Sequence, residues 1–176
     1  MNTINIQVNE LSDVSRTLTA GQRIYLSGTV YTARDAAHKK LLALIEDGAE
    51  LPFELRGAVI YYAGPTPSKP GFAVGSCGPT TSARMNKFAP KLFDLGVAAT
   101  IGKGEIGAAV TEAIARCSAL YLCAVGGAGA LIAKHITSAE EIAFPELGCE
   151  SVKRMTIENL PLFVGVDSGG ASIFCN

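Results

Sequence analysis

Apolar and polar positions alternate at the start of the chain. Ile4, Ile6 and Val8, separated by polar residues, predict a short half-buried strand. A turn from Leu11 through Ala20 and Gly21 leads to a second predicted strand at residues 23–30. The period then changes. Leu41, Leu42 and Ile45 form one stripe, which predicts a helix entered at Thr32 or Ala33 and stopped at Gly48. Residues 51–55 read as extended and residues 58–63 as a buried strand. Pro65, Pro67 and Pro70 then forbid regular structure, forcing an extended loop. Residues 72–74 read as a brief strand, and residues 81–95 as a helix with Met85, Phe88, Leu92 and Phe93 inward. Pro90 is expected to break or kink that helix.

The middle of the chain alternates strand and helix. Residues 97–101 and 119–125 are apolar runs of strand length, each followed by a glycine loop and a helix: residues 108–116 after the first, and a helix through Lys134 after the second. Residues 138–144 read as an edge strand or turn. In the tail, residues 155–157, 162–166 and 171–174 are predicted strands, the last two joined by a hairpin turn over Asp167, Ser168, Gly169 and Gly170. No repeat and no linker divides the chain. The expectation is one mixed α/β domain over residues 1–176, β-rich at both ends around a β-α alternating centre.

Composition narrows the classes. Hydrophobic residues are 48% and charged residues 18%, with mean hydropathy +0.29. So few charges imply either a large core or an apolar surface that meets another chain. Net charge is −1, without the basic footprint of a nucleic-acid binder. No apolar run reaches the ~20 residues of a membrane span, and the N-terminus lacks the pattern of a signal peptide. Cys77, Cys117, Cys123, Cys149 and Cys175 follow no metal-ligand spacing. Cys117 and Cys123 read as buried small hydrophobes. A reduced, cytoplasmic protein without nucleic-acid or membrane partners is the expectation.

Three glycine-rich junctions link strand to helix: residues 75–84, 101–107 and 125–130. Free N–H groups and a helix dipole can favour an anion at such a junction, although none matches a nucleotide-binding fingerprint. Residues 125–130 carry no reactive side chain, and their glycines read as turn residues. The first junction is richer: Gly78, Pro79, Thr80, Thr81, Ser82, Ala83 and Arg84 place three hydroxyls and a guanidinium at a helix start. Thr80 or Thr81 is expected to cap, which leaves two hydroxyls, with Arg84 on the face of Thr80, for a carboxylate or phosphate. Lys103 stands between glycines, either solvated or against a ligand. Asp35 and His38 share a helix face beside Arg34, so this cluster is either a surface ion pair or a site in which Asp35 orients the imidazole. No nucleophile motif and no Cys/His metal cluster accompanies them.

YTARDAAHKKL, YYAGPTPSKPG, SCGPTTSARM and TIGKG, in this order and spacing, resemble the β subunit of iron–sulfur hydro-lyases. That group comprises the C-terminal half of class I fumarase and the β subunit of L(+)-tartrate dehydratase. The resemblance runs from about Arg23 to the end, through GGAGALIAKHI and VDSGGASIF. It implies a swivelling β/β/α domain that closes over a 4Fe–4S cluster held by three cysteines of a partner α subunit. The partners form a heterodimer or an α2β2 assembly, active only together. The reaction implied is reversible hydration of a small dicarboxylate, fumarate/malate first and tartrate second.

By matching motif, the resemblance assigns the base to Thr80 and a further catalytic role to His38, beside which the helix spacing sets Asp35. It makes Arg34, Arg84 and Lys103 substrate-binding residues, and Gly78 and Thr81 of the first junction join that set. A threonine hydroxyl is a poor base, so its alkoxide needs support from Arg84, Lys103 or loop N–H groups. No metal ligand is assigned to this chain, and Cys77 is taken as a structural neighbour of the site. Asn86 departs from the acidic residue expected there. The competing reading is a stand-alone dicarboxylate- or anion-binding module without catalysis.

Overall fold

The computed structural model describes residues 4–174, so the cysteine at position 175 lies outside the described residues. Seven strands make one sheet: β1 (Ile4–Gln7), β2 (Arg23–Thr32), β3 (Val59–Tyr61), β4 (Ala99–Gly102), β5 (Leu120–Cys123), β6 (Ile136–Ala143) and β7 (Val152–Val166). Five helices accompany them: α1 (Leu11–Val14), α2 (Asp35–Glu46), α3 (Ala89–Asp94), α4 (Ala108–Cys117) and α5 (Gly129–Ala133). β1 through β5 are parallel in sequence order, and β7 runs antiparallel to β5, β2 and β6. Because β7 pairs with both β5 and β2, the sheet closes into a barrel of β2, β3, β4, β5 and β7. β1 and β6 lie at its margins, β6 as the edge strand expected.

The alternation of side chains along the strands builds two cores. Val59 and Tyr61, Ala99 and Ile101, Leu120 and Leu122, and Met155, Ile157, Leu160, Leu162 and Val164 fill the barrel. Ile60, Tyr62 and Tyr121 point the other way. They pack beneath α2, α3 and α4 with Leu41, Leu92, Phe93, Val110 and Ile114.

Several expectations need correction. α2 begins at Asp35 with Arg34 as its cap residue, because Thr32 still belongs to β2, where its hydroxyl bonds the backbone of Ser151 and Lys153. Residues 72–74 are not a strand; they lie in the proline loop, with Phe72 exposed. The predicted helix at 81–95 splits. Ser82–Met85 is a 3-10 turn, and Pro90 sits in the first turn of α3, where its missing N–H costs nothing. The tail strands at 155–157 and 162–166 are one strand. Between them Glu158 and Asn159 form a bulge, Asn159 at φ 49° with its N–H on Ser27 Oγ, and the bend lets β7 serve three neighbours. Residues 171–174 form no strand; Ser172 alone bridges to Val166. Cys123 is buried, whereas Cys117 is half-buried against Asp94.

Candidate active site

Arg34, Lys103 and the segment 77–82 lie at the C-terminal ends of parallel strands, the end at which α/β folds place their ligands. Arg34 follows β2 and caps α2, Lys103 follows β4, and the segment 77–82 is laid across the ends of β3 and β4. Pro79 bridges Ala63 and Thr81 bridges Lys103. Three backbone N–H groups stitch this short extra strand: Thr80 to Tyr62 O at 2.6 Å, Lys103 to Thr80 O at 3.3 Å, and Ser82 to Lys103 O at 2.9 Å. Thr80 is thereby fixed by its main chain, not by helix geometry, and its relation to Arg84 is not that of two residues on one helix face.

Hydroxyl use also differs from expectation. Thr81 occupies the cap position of the 82–85 turn without a capping hydrogen bond, and Ser82 exchanges one of 2.8 Å with Tyr121 OH. The hydroxyls of Thr80 and Thr81 make no hydrogen bond among the described residues. Tyr121 OH also donates to Gly104 O at 2.7 Å, so one buried phenol ties the threonine segment to the lysine loop. Tyr61 OH donates to Cys77 O at 2.7 Å from inside the barrel. A tyrosine inside an otherwise apolar strand was the available signal for these ties, since a buried phenol takes a partner.

Gly78 is exposed at the start of the segment, and Gly129 packs beneath it. A Cβ on Gly129 would stand 2.5 Å from Ser76 Oγ and 3.0 Å from Gly78 N. Cys77 N donates to Gly129 O at 3.0 Å. Thus the third glycine junction, expected to hold only turn residues, is packed against the first. Lys103 reaches over it, its Cδ 3.3 Å and Nζ 3.9 Å from where a Cβ on Gly126 would be. Lys103 pairs with no carboxylate among the described residues.

The two arginines are paired. Arg84 meets Asp35 in a two-pronged contact, Nε to Oδ1 at 3.2 Å and the terminal nitrogen to Oδ2 at 2.7 Å. Arg34 meets Glu150 at 3.1 Å. Asp35 therefore binds Arg84 and not the imidazole, contrary to the expected Asp35–His38 pair. His38 lies wholly in the core between Phe88 and Tyr62, its Nδ1 2.8 Å from Arg34 O and its Nε2 without a partner. Burial lowers its pKa to about 4, against weaker raising effects of the Arg34 carbonyl and the Asp35 charge. Asn86 Oδ1 accepts from Gly107 N at 3.0 Å, closing the lysine loop, a role in which an amide serves as well as an acid.

Cys77 is fully buried, and desolvation pushes its thiol up to about 12. Enclosed in this way, the thiol is held protonated and unreactive toward solvent. Among the described residues no group of three or more His, Cys, Asp or Glu stands close enough to hold a metal ion.

The Fumarase C-terminus family model matches residues 1–176. The chain belongs to that family. Two relatives match it over most of both chains. One, named putative L(+)-tartrate dehydratase subunit beta, from Methanocaldococcus jannaschii, is 37% identical across 89% of this chain and 84% of its own length. The other, L(+)-tartrate dehydratase subunit beta of Escherichia coli K12, is 33% identical across 97% and 84%. Fumarate hydratase 2 of Leishmania major is 39% identical across 88% of this chain, but the chain spans only 28% of that protein. Within this family chain no helix among the described residues is long and apolar enough to cross a membrane.

Proposed function

We propose that this chain is the β-type half of a hydro-lyase that reversibly hydrates a small dicarboxylate, fumarate/malate first and tartrate second. The observation that carries the reading is Thr80. Its N–H and carbonyl are both used at the strand ends, which fixes its main chain next to that of Lys103 and leaves its hydroxyl without a hydrogen bond among the described residues. Arg34, Arg84 and Lys103 take the substrate carboxylates, while Gly78 and Thr81 border them.

In the dehydration direction a proton leaves the carbon next to one carboxylate for Thr80 Oγ1. The C–H electron pair becomes the double bond, and hydroxide departs from the neighbouring carbon on the side the partner covers. Thr80 must be ionised beforehand. The N–H groups of Thr80, Ser82 and Lys103 are already bonded within the backbone; in this reading the Lys103 ammonium and the Arg84 guanidinium stabilise the alkoxide. His38, neutral and enclosed, supports Arg34 and exchanges no proton with substrate.

Among the described residues no cysteines cluster to hold a 4Fe–4S group, and no step is routed through one. We assign the cluster to an α subunit bound as a heterodimer or α2β2, over which this domain swivels in the cytoplasm. Phe72 and Val125, exposed on loops, and Leu131, exposed on α5, are apolar surface for such a partner. The deciding experiment mixes the chain with its α partner anaerobically and follows fumarate and tartrate spectrophotometrically. Turnover is expected from the mixture only; an inactive mixture on every small dicarboxylate overturns the proposal.

A further inference from the structure

Arg34 is not free to choose where its guanidinium stands. Gly64 lies beside it, and a Cβ there would be 3.2 Å from Arg34 Cδ, 3.3 Å from a terminal nitrogen and 3.1 Å from Cys149 O. Arg34 therefore passes through a slot with the Gly64 backbone on one side and the Cys149 carbonyl close by, and Glu150 takes its other terminal nitrogen at 3.1 Å. Both side chains are only about a quarter exposed, 23% and 24%. Arg34 Nε is shut off from solvent without a partner. An enclosed, unpaired donor on a guanidinium is a costly exception that calls for an explanation.

Glu150 is itself held. It ends the 3-10 segment Pro145–Glu150, which is docked on α2 by Lys40, bonded to Glu146 at 2.7 Å and placed over the Phe144 ring. From below, the Arg34 carbonyl accepts both the N–H of His38 at 2.9 Å and its Nδ1 proton. Backbone and head of Arg34 are thus set by different elements.

We infer that Glu150 is a positioning residue for the reaction proposed above. By holding the Arg34 guanidinium in the slot at Gly64, it fixes the distance from that cation to Arg84 and Lys103, and so the length of dicarboxylate the site accepts. The inference rests on the hydro-lyase reading for its consequence and on the slot for its geometry, and the two are tested separately.

The geometry is read on the chain by itself. In a ¹⁵N–¹H spectrum the Arg34 Nε–H is expected as a dispersed, slowly exchanging resonance, assigned by its loss in Arg34→Lys. Glu150→Ala should merge it with the solvent-exposed arginines, whereas Glu150→Gln, which still accepts a hydrogen bond, should keep it apart. An unchanged resonance in Glu150→Ala refutes the clamp whether or not the protein is an enzyme. The consequence is read in the complex with the α partner. Glu150→Ala should raise KM for the preferred dicarboxylate roughly tenfold, with kcat within about threefold, and narrow its preference over a substrate one carbon longer. Glu150→Gln should recover most of the KM. Equal KM in wild type and Glu150→Ala, with wild-type turnover intact, overturns the positioning role while leaving the hydro-lyase reading standing. An inactive wild-type complex refutes that reading, and the spectrum then still decides the clamp.

Discussion

His38 Nδ1 stands 2.8 Å from the carbonyl oxygen of Arg34, one turn back along α2. A carbonyl only accepts, so Nδ1 carries the proton and Nε2 is left as a lone pair inside the core. The imidazole stacks on Phe88 at 5.4 Å and meets Tyr62 edge-on at 5.5 Å. It is a neutral strut between the hydrophobic core and the residue that opens the site.

That strut makes stability depend on pH. Burial lowers the His38 pKa from 6.5 to about 4. Between those values the unfolded chain binds a proton that the folded chain refuses, so this stabilisation is full above pH 6.5 and declines as pH falls toward 4. The gap corresponds to about 3 kcal/mol. Urea unfolding at about pH 7 and about pH 4.5 measures it, and His38→Asn should remove this part of the decline. Equal slopes for variant and wild type would count against a buried neutral imidazole.

Thr80 separates chemistry from folding. Its hydroxyl bonds nothing among the described residues, so Thr80→Ala should change the melting temperature little. In the complex with the α partner it should lower kcat by at least about 10²-fold, the usual contribution of a placed proton-transfer group. Thr80→Ser should retain measurable turnover. A near-normal rate for Thr80→Ala would sink the assignment of the base.

Tyr121 gives the reverse case. Its hydroxyl meets Ser82 Oγ at 2.8 Å and Gly104 O at 2.7 Å and touches no substrate-binding residue in doing so. Tyr121→Phe removes both bonds and leaves Ser82 buried without a partner, which should cost about 1–3 kcal/mol in denaturant unfolding. With the side-chain tie between the threonine segment and the lysine loop lost, kcat should fall as well. Stability and rate both unchanged would show the two loops to be held by their backbone bonds alone.

Gly129→Ala tests how tightly the glycine junctions are packed. The new methyl would meet Ser76 Oγ and the Gly78 backbone, and the backbone cannot turn aside as a long side chain can. A loss of about 1–3 kcal/mol is expected by calorimetry. No loss would mean that the segment 76–78 stands further from α5 than its hydrogen bond to Gly129 requires.

These cases show where the sequence was legible. The parallel strands β3, β4 and β5 stood out because buried parallel strands are short continuous apolar runs. β7 did not, since the polar pair Glu158 and Asn159 looks like a strand end and is a bulge within one strand. The 81–95 helix was overestimated because Thr80 and Thr81 resemble a capped helix start, yet long-range pairing with Tyr62 and Lys103 holds them extended. Of the candidate site, Arg34, Thr80, Arg84 and Lys103 could be singled out from their own loops, while their proposed roles came from the family resemblance. Glu150, Ser82 and Tyr121 were not, because each acts through a contact between segments distant in sequence. Asp35 was recognised with the wrong partner: helix spacing offers His38, but the guanidinium of Arg84 takes the carboxylate, Nε donating to Oδ1 and a terminal nitrogen standing 2.7 Å from Oδ2.

Charge finally separates the catalytic reading from that of a self-sufficient anion-binding module. Glu150 offsets Arg34 and Asp35 offsets Arg84, so with unpaired Lys103 the five groups leave one net positive charge. A dicarboxylate brings two negative charges to a site this chain only partly neutralises. The isolated chain should therefore bind fumarate or malate in calorimetry with a dissociation constant on the order of millimolar or weaker. Rising salt should weaken that binding further, since the site opens to solvent. Lys103→Met should abolish it, and addition of the α partner should tighten it. Micromolar binding by the isolated chain would instead make the pocket complete by itself and favour the module.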